Sequence, residues 1–230
     1  MAKEGGERLR IENLCKSYKN TAVFENFCLD IEENKITCIL GESGSGKTTL
    51  LNVLAGLTPY QGTVPRTKCS YIFQEPRLVP NLTVFDNLRL VCGDGQKISD
   101  YLDRAGLKDK AKAYPVSLSG GQAQRVAILR AFLFGAETLL MDEPFSSLDL
   151  SLKVRMMDMF RELWKSDNRT CLFVTHDIDE AVYLSDRIIL LDGGRIRTEF
   201  NLPFSEERRF GENGRIRSEI LQAILSSRIL

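Results

Sequence analysis

The segment Ile36-Thr-Cys-Ile-Leu40 running into Gly41-Glu-Ser-Gly-Ser-Gly-Lys-Thr48 constrains this chain more than any other stretch. A short β-branched run ends on glycine and suits a buried central strand. Residues 48–57 then place Leu50, Leu51, Val53, Leu54 and Leu57 on one helical face, with Gly56 near the end. The spacing of Gly41, Gly46, Lys47 and Thr48 fits G-x-x-x-x-G-K-[ST]. Glycines in that pattern let successive backbone N–H groups turn toward phosphate oxygens, and the helix that follows adds its positive end. A flexible Ser/Gly turn with a surface lysine would read alike, but four fixed positions match by accident in roughly one chain in a hundred. The strand before and the helix after lower that further. The expectation is a phosphate loop in which Gly41, Glu42, Ser43, Gly44, Ser45, Gly46, Lys47, Thr48 and Thr49 hold a nucleoside triphosphate. Lys47 supplies charge to the β and γ phosphates, and the Thr48 hydroxyl faces Mg²⁺.

The rest of the chain fits an α/β domain around that loop. Residues 9–18 and 23–31 alternate as paired strands, and residues 69–73, 138–141, 171–174 and 187–191 read as further strands. Between about 77 and 135 strand character disappears, and residues 83–91, 97–105 and 120–134 read as helices divided by Gly, Pro and Ser. Helices at 151–165 and 178–184 alternate with the later strands, which argues for a parallel core. Residues 215–228 place Ile216, Ile220, Leu221, Ile224 and Leu225 on one side of a helix expected to pack on the domain. Residues 1–76 and 136–204 are therefore expected to form the sheet-based part, 77–135 a helical subdomain, and 205–230 a short helical tail.

Charge narrows the partners. Lys+Arg and Asp+Glu are 31 each over 230 residues, so no net field draws the chain to nucleic acid or an anionic surface. No apolar run approaches membrane-spanning length, and Met-Ala-Lys-Glu-Gly-Gly-Glu-Arg lacks the apolar core of a signal peptide. A cytosolic chain that meets a membrane only through a protein partner is expected. The six cysteines (15, 28, 38, 69, 92 and 171) form no C-x-x-C pair, and His176 is the only histidine. The cysteines are expected to be buried, reduced and structural rather than a metal cluster.

Leu139-Leu-Met-Asp-Glu-Pro144 ends an apolar strand on two adjacent acids. In a parallel sheet both emerge at the carboxyl edge, as does the phosphate loop. Asp142 is placed to hold the Mg²⁺ shell, and Glu143 to act as general base on the attacking water. Acids at strand ends are often only solvated caps, so this pair gains its meaning from the loop.

Leu118-Ser-Gly-Gly-Gln122 resembles the signature motif of the ABC ATPase family. Ser119 with the N–H groups near Gly120 and Gly121 would clamp a γ-phosphate, although Ser119 would cap the helix whatever its function. The resemblance spans residues 9 to 200. It implies that Gln74 senses Mg²⁺ and the attacking water, that Ser147-Leu-Asp149 lies along a dimer interface, and that His176 contacts the γ-phosphate. It further implies that Tyr18 stacks on adenine, and that Ser119, Gly120, Gly121 and Gln122 touch ATP. Glu143, His176, Gln74 and Lys47 would be the catalytic set, with Thr48, Gln74 and Asp142 around Mg²⁺. Ala123 departs from the larger polar residue common after the signature.

The fold so implied is a phosphate-loop NTPase (RecA-like) core with an N-terminal antiparallel β subdomain and an inserted ABC-type α-helical subdomain. The resemblance also implies a head-to-tail dimer with two ATPs between two copies, membrane permease subunits as partners, and indirectly a solute-binding protein. The chain would sit peripherally on the cytoplasmic side of the membrane. Phe73 to Leu88, Glu143 to Asp149 and Phe173 to Ala181 are similar in wording to ATPases of the nitrate/sulfonate/taurine importer group. Polyamine, phosphonate and amino-acid importers share much of this wording. DNA-repair ATPases carry a long coiled coil between the motifs that Gln74 and Leu118 match, only 44 positions apart here. A two-cassette translation protein and an iron–sulfur assembly scaffold fit less well, for want of a second cassette and because of the 73–88 wording.

Overall fold

The computed structural model describes residues 8–146, 148–202, 208–212 and 214–226. In chain order it begins with β1 (Arg8–Tyr18), β2 (Thr21–Glu32), β3 (Ile36–Leu40), α1 (Lys47–Leu54), β4 (Gln61–Thr63) and β5 (Cys69–Ile72). Then come α2 (Val84–Arg89), α3 (Gly95–Arg104), α4 (Gly120–Leu133), β6 (Thr138–Asp142) and α5 (Leu150–Asp167). The chain continues through β7 (Thr170–Thr175), α6 (Ile178–Leu184), β8 (Arg187–Asp192), β9 (Arg195–Asn201) and α7 (Gly214–Leu225). The expected helices and strands are all present, and β4 and β9 are additional. The chain falls into two compact units, Met1–Thr67 with Arg169–Leu230, and Lys68–Asn168.

In the first unit β3 lies between β7 and β8 and pairs parallel with both. All of β3 and β7 is buried, as expected of strands covered on both faces. β8 turns through Gly193-Gly194 into antiparallel β9, whose residues alternate between exposed and half-buried. A second, antiparallel sheet has the order β2-β1-β4. Its β1–β2 ladder shifts register between Ile11 and Leu14, where Asn13 takes a left-handed φ of 50°, and again between Leu14 and Lys16, opposite Asn26 with the same φ. These bulges explain why the buried residues run Ile11, Leu14 and Phe24, Phe27 rather than in strict alternation.

In the second unit β5 and β6 pair parallel from Cys69↔Thr138 to Ile72↔Met141. α2 and α3 pack on α4. Arg125 Nη1 ties α4 to the end of α3 through the Ala105 carbonyl at 2.6 Å. Phe132 meets Phe160 edge-on at 5.7 Å, fixing α4 against α5.

Two details differ from the sequence expectation. α1 ends at Leu54, because Gly56 takes φ 69° and its N–H returns to Val53, which leaves Leu57 beyond the helix and 60% exposed. Only Cys38 and Cys171 are fully buried, their thiols pushed up by burial, while Cys28 is exposed on β2. Residues 227 and 228 of the expected tail helix lie outside the described residues. Among the described residues no helix is long and apolar enough to cross a membrane.

Candidate functional site

The phosphate-loop geometry follows from its packing in the first unit. A Cβ at Gly41 would run into the Leu191 carbonyl oxygen of β8, so only glycine lets β3 turn there. Gly46 caps α1 with φ 104°, and a Cβ on it would stand 2.9 Å from Phe24 Cζ. The Gly194 N–H donates to the Ser45 carbonyl at 3.3 Å, so the β8–β9 turn buttresses the loop from outside. Lys47, only 5% exposed, donates from Nζ to the carbonyls of Gly41 and Glu42, each at 2.8 Å. Ser45 Oγ is buried and has no hydrogen-bond partner among the described residues. A buried hydroxyl without an acceptor, beside a lysine held over the loop, fits an anionic phosphate. Glu42, Ser43, Gly44 and Thr48 are exposed.

His176 follows β7 in the same unit. Thr175 Oγ1 donates to Glu180 Oε2 at 2.6 Å and accepts from the Asp177 N–H at 3.1 Å. Asp177 caps α6 by accepting from Asp179 N and Glu180 N. This fixed turn leaves His176 exposed, and a cavity of about 370 Å³ is lined by Gly41, Glu42, His176, Asp192 and, from α7, Leu221 and Ile224. The phosphate loop and the histidine thus share one cavity. Tyr18 ends β1 with 46% of its surface exposed.

In the second unit Asp142 ends β6, buried, and the Tyr71 hydroxyl donates to its Oδ2 at 3.3 Å. Burial first, and the Asp142 charge second, push the Tyr71 phenol upward. Glu143 then takes φ 43°, a conformation costing a non-glycine residue on the order of 1–3 kcal/mol. Ser146 holds that turn, donating from Oγ to the Glu143 carbonyl at 3.0 Å. Gln74 Nε2 donates to the same Ser146 Oγ at 3.3 Å. Gln74 and the Glu143 turn are therefore joined through one hydroxyl. Ser147 lies outside the described residues. Arg130 of α4 donates to the carbonyls of Pro76 and Arg77 at 3.1–3.2 Å, holding the segment after Gln74.

The signature segment is built as a capping box. Ser119 Oγ accepts from Gln122 N at 3.3 Å, and Gln122 Oε1 accepts from Ser119 N at 2.9 Å. Ser119 and Gly120 are exposed at the N-terminus of α4, whereas Gly121 is buried and a Cβ on it would strike Leu152. Sequence reading missed Tyr71, Ser146 and Arg130, and it placed Gln124 after the signature without giving it a contact. Arg130 had a signal in principle, as the one charge within the apolar run of residues 126–133.

A family model described as ABC transporter matches residues 24–146. The chain is similar to the aliphatic sulfonates import ATP-binding protein SsuB 1 of Agrobacterium fabrum (strain C58), 36% identical over 96% of this chain and 85% of that protein. It is also similar to the aliphatic sulfonates import ATP-binding protein SsuB of Delftia acidovorans, 41% identical over 87% of this chain and 86% of that one. Among solved structures it resembles the dimeric post-hydrolysis state of the ATP-binding cassette MJ0796 bound to ADP and Pi. That match has a TM-score of 0.76 and 31% identity, covering 86% of this chain and all of the other.

Proposed function

We propose a role for this chain on a plain premise: it belongs to the ABC transporter family and is one of its ATPases. Its task is to energise the import of a small anionic solute, a sulfonate, through a separate membrane permease fed by a solute-binding protein. The names of its relatives support importer and sulfonate alike, and the alignments span most of both chains. The chain would sit on the cytoplasmic side of the membrane, held there by the permease.

The observation that carries the nucleotide reading is Lys47 poised on the Gly41 and Glu42 carbonyls, next to the unpartnered Ser45 hydroxyl. Lys47 would release those carbonyls and neutralise the β and γ phosphates, while the loop N–H groups hold their oxygens. Thr48, Asp142 and Gln74 offer hard oxygen donors that suit Mg²⁺, which when bound would draw charge from the β and γ oxygens. Glu143 would take a proton from the attacking water, with Gln74 and Ser146 fixing its turn. His176 would stabilise the γ-phosphate, and Tyr18 would stack on adenine. Catalysis of this kind is positioning and charge stabilisation rather than covalent chemistry.

One copy would supply Ser119, Gly120 and the α4 N-terminus to the nucleotide held by Lys47 of another. Their exposure supports this, as does the dimeric state of the similar MJ0796 cassette. Purified protein should hydrolyse ATP, and Lys47→Ala should remove that activity. In the host, deleting the gene should abolish growth on an alkanesulfonate as sole sulfur source but not on sulfate. Unchanged growth on the sulfonate would overturn the substrate assignment and leave the ATPase reading standing.

A further inference from the structure

Lys16 stands two positions before Tyr18 on β1, and its Nζ lies 4.4 Å from the centroid of the Tyr18 ring. The lysine is only 8% exposed, and the same ammonium donates to the Pro59 carbonyl at 2.8 Å, in the connection between α1 and β4. Burying a lysine is costly unless its charge is satisfied, so its position calls for a physical reason. A carbonyl on one side and an aromatic face on the other meet that need. The tyrosine meanwhile keeps nearly half its surface open.

We infer that Lys16 is a positioning residue for the nucleobase: clamped by the Pro59 carbonyl, its ammonium fixes the Tyr18 ring and prepares the ring's open face for an electron-rich purine. This rests on the reading of Tyr18 as the adenine-stacking residue. Two effects act in the same direction. A ring already held in one rotamer loses less freedom when a base stacks on it. A cation beneath the ring also draws π density away from the upper face, which lowers repulsion with the π system of adenine. A lysine that merely straps β1 to residue 59 would do neither. It would affect every ligand of the phosphate loop alike.

The test is calorimetric titration of the purified chain with ATP and, separately, with inorganic tripolyphosphate, both with Mg²⁺. The ratio of the two affinities isolates what the base and its sugar contribute. Lys16→Gln keeps a donor for the Pro59 carbonyl and removes the charge. It should weaken ATP about three- to tenfold and leave tripolyphosphate within about twofold. Lys16→Arg, whose guanidinium also stacks on aromatic faces, should restore most of the ATP affinity. Tyr18→Ala should collapse the ratio. If Tyr18→Ala leaves the ratio unchanged, the adenine reading falls and this inference with it. If Tyr18→Ala collapses the ratio and Lys16→Gln does not, the inference alone is overturned. Equal weakening of both ligands by Lys16→Gln would assign Lys16 to the strap and also overturn it.

Discussion

Gln124 donates from Nε2 to the Pro144 carbonyl at 2.9 Å, tying the helix that begins at the signature to the turn that begins at Glu143. Gln124 is 2% exposed and its Oε1 has no hydrogen-bond partner among the described residues, so the bond from Nε2 is what satisfies this buried side chain. Gln124→Met should leave the Pro144 carbonyl buried and unpaired, at about 1–3 kcal/mol. A thermal melt should then fall by a few degrees, because each kcal/mol is worth about 2–4 °C in a domain of this size. ATP turnover should fall by more than stability explains, since the strained Glu143 turn loses a support. An unchanged melt would show that the bond carries no weight.

Gly41 and Gly44 separate two reasons for a glycine. A Cβ at Gly41 meets backbone, the Leu191 carbonyl, which cannot move without disturbing β8. At Gly44 the space is open, and only φ 82° disfavours a side chain. Gly41→Ala should therefore abolish nucleotide binding and lower the melt by several degrees. Gly44→Ala should cost about 1 kcal/mol and weaken nucleotide binding modestly. Equal effects in fluorescent-nucleotide titrations would contradict the close approach of β3 to β8 at this loop.

Asp186 gives a pH dependence with a definite sign. Its Oδ2 accepts the Ile36 N–H at 2.8 Å, and burial raises its pKa above the ordinary carboxylate value. A raised native pKa means the folded chain holds the proton more tightly than the unfolded one. That contribution is full below the unfolded pKa and is lost as pH rises through the folded one. Asp186→Asn keeps an oxygen for Ile36 and removes the buried charge. Its melting temperature relative to the parent should improve from pH 4 to pH 7. A difference that is constant or reversed would refute the assignment.

The phosphate loop declares itself locally by its spacing, and the Asp142-Glu143 pair gains its meaning from that loop, whereas the signature cap and His176 take their expected roles only from the family resemblance. The parallel core was legible too, because fully buried strands such as β3 read as continuous apolar runs. What holds those residues was not. Tyr71 and Asp142 are 71 positions apart, and Gln74 and Ser146 are 72 apart, so only the fold reveals either pair. β4 escaped notice because its three residues are all exposed and show no apolar pattern. β9 had a signal in the Gly193-Gly194 turn before Arg195, but its alternation is shallow and its ends polar. The bulges at Asn13 and Asn26 blurred the period of the first two strands.

The central claim is that two copies complete the nucleotide sites between them, with Glu143 as the base. Replacing that carboxylate by its amide keeps the turn and removes the proton acceptor. Size-exclusion chromatography with light scattering, run on Glu143→Gln in ATP and Mg²⁺, tests both halves at once. The account predicts a stable species of twice the chain's mass, seen with ATP and not with ADP, and no measurable turnover. A monomer at saturating ATP, or hydrolysis at the parental rate, would contradict it.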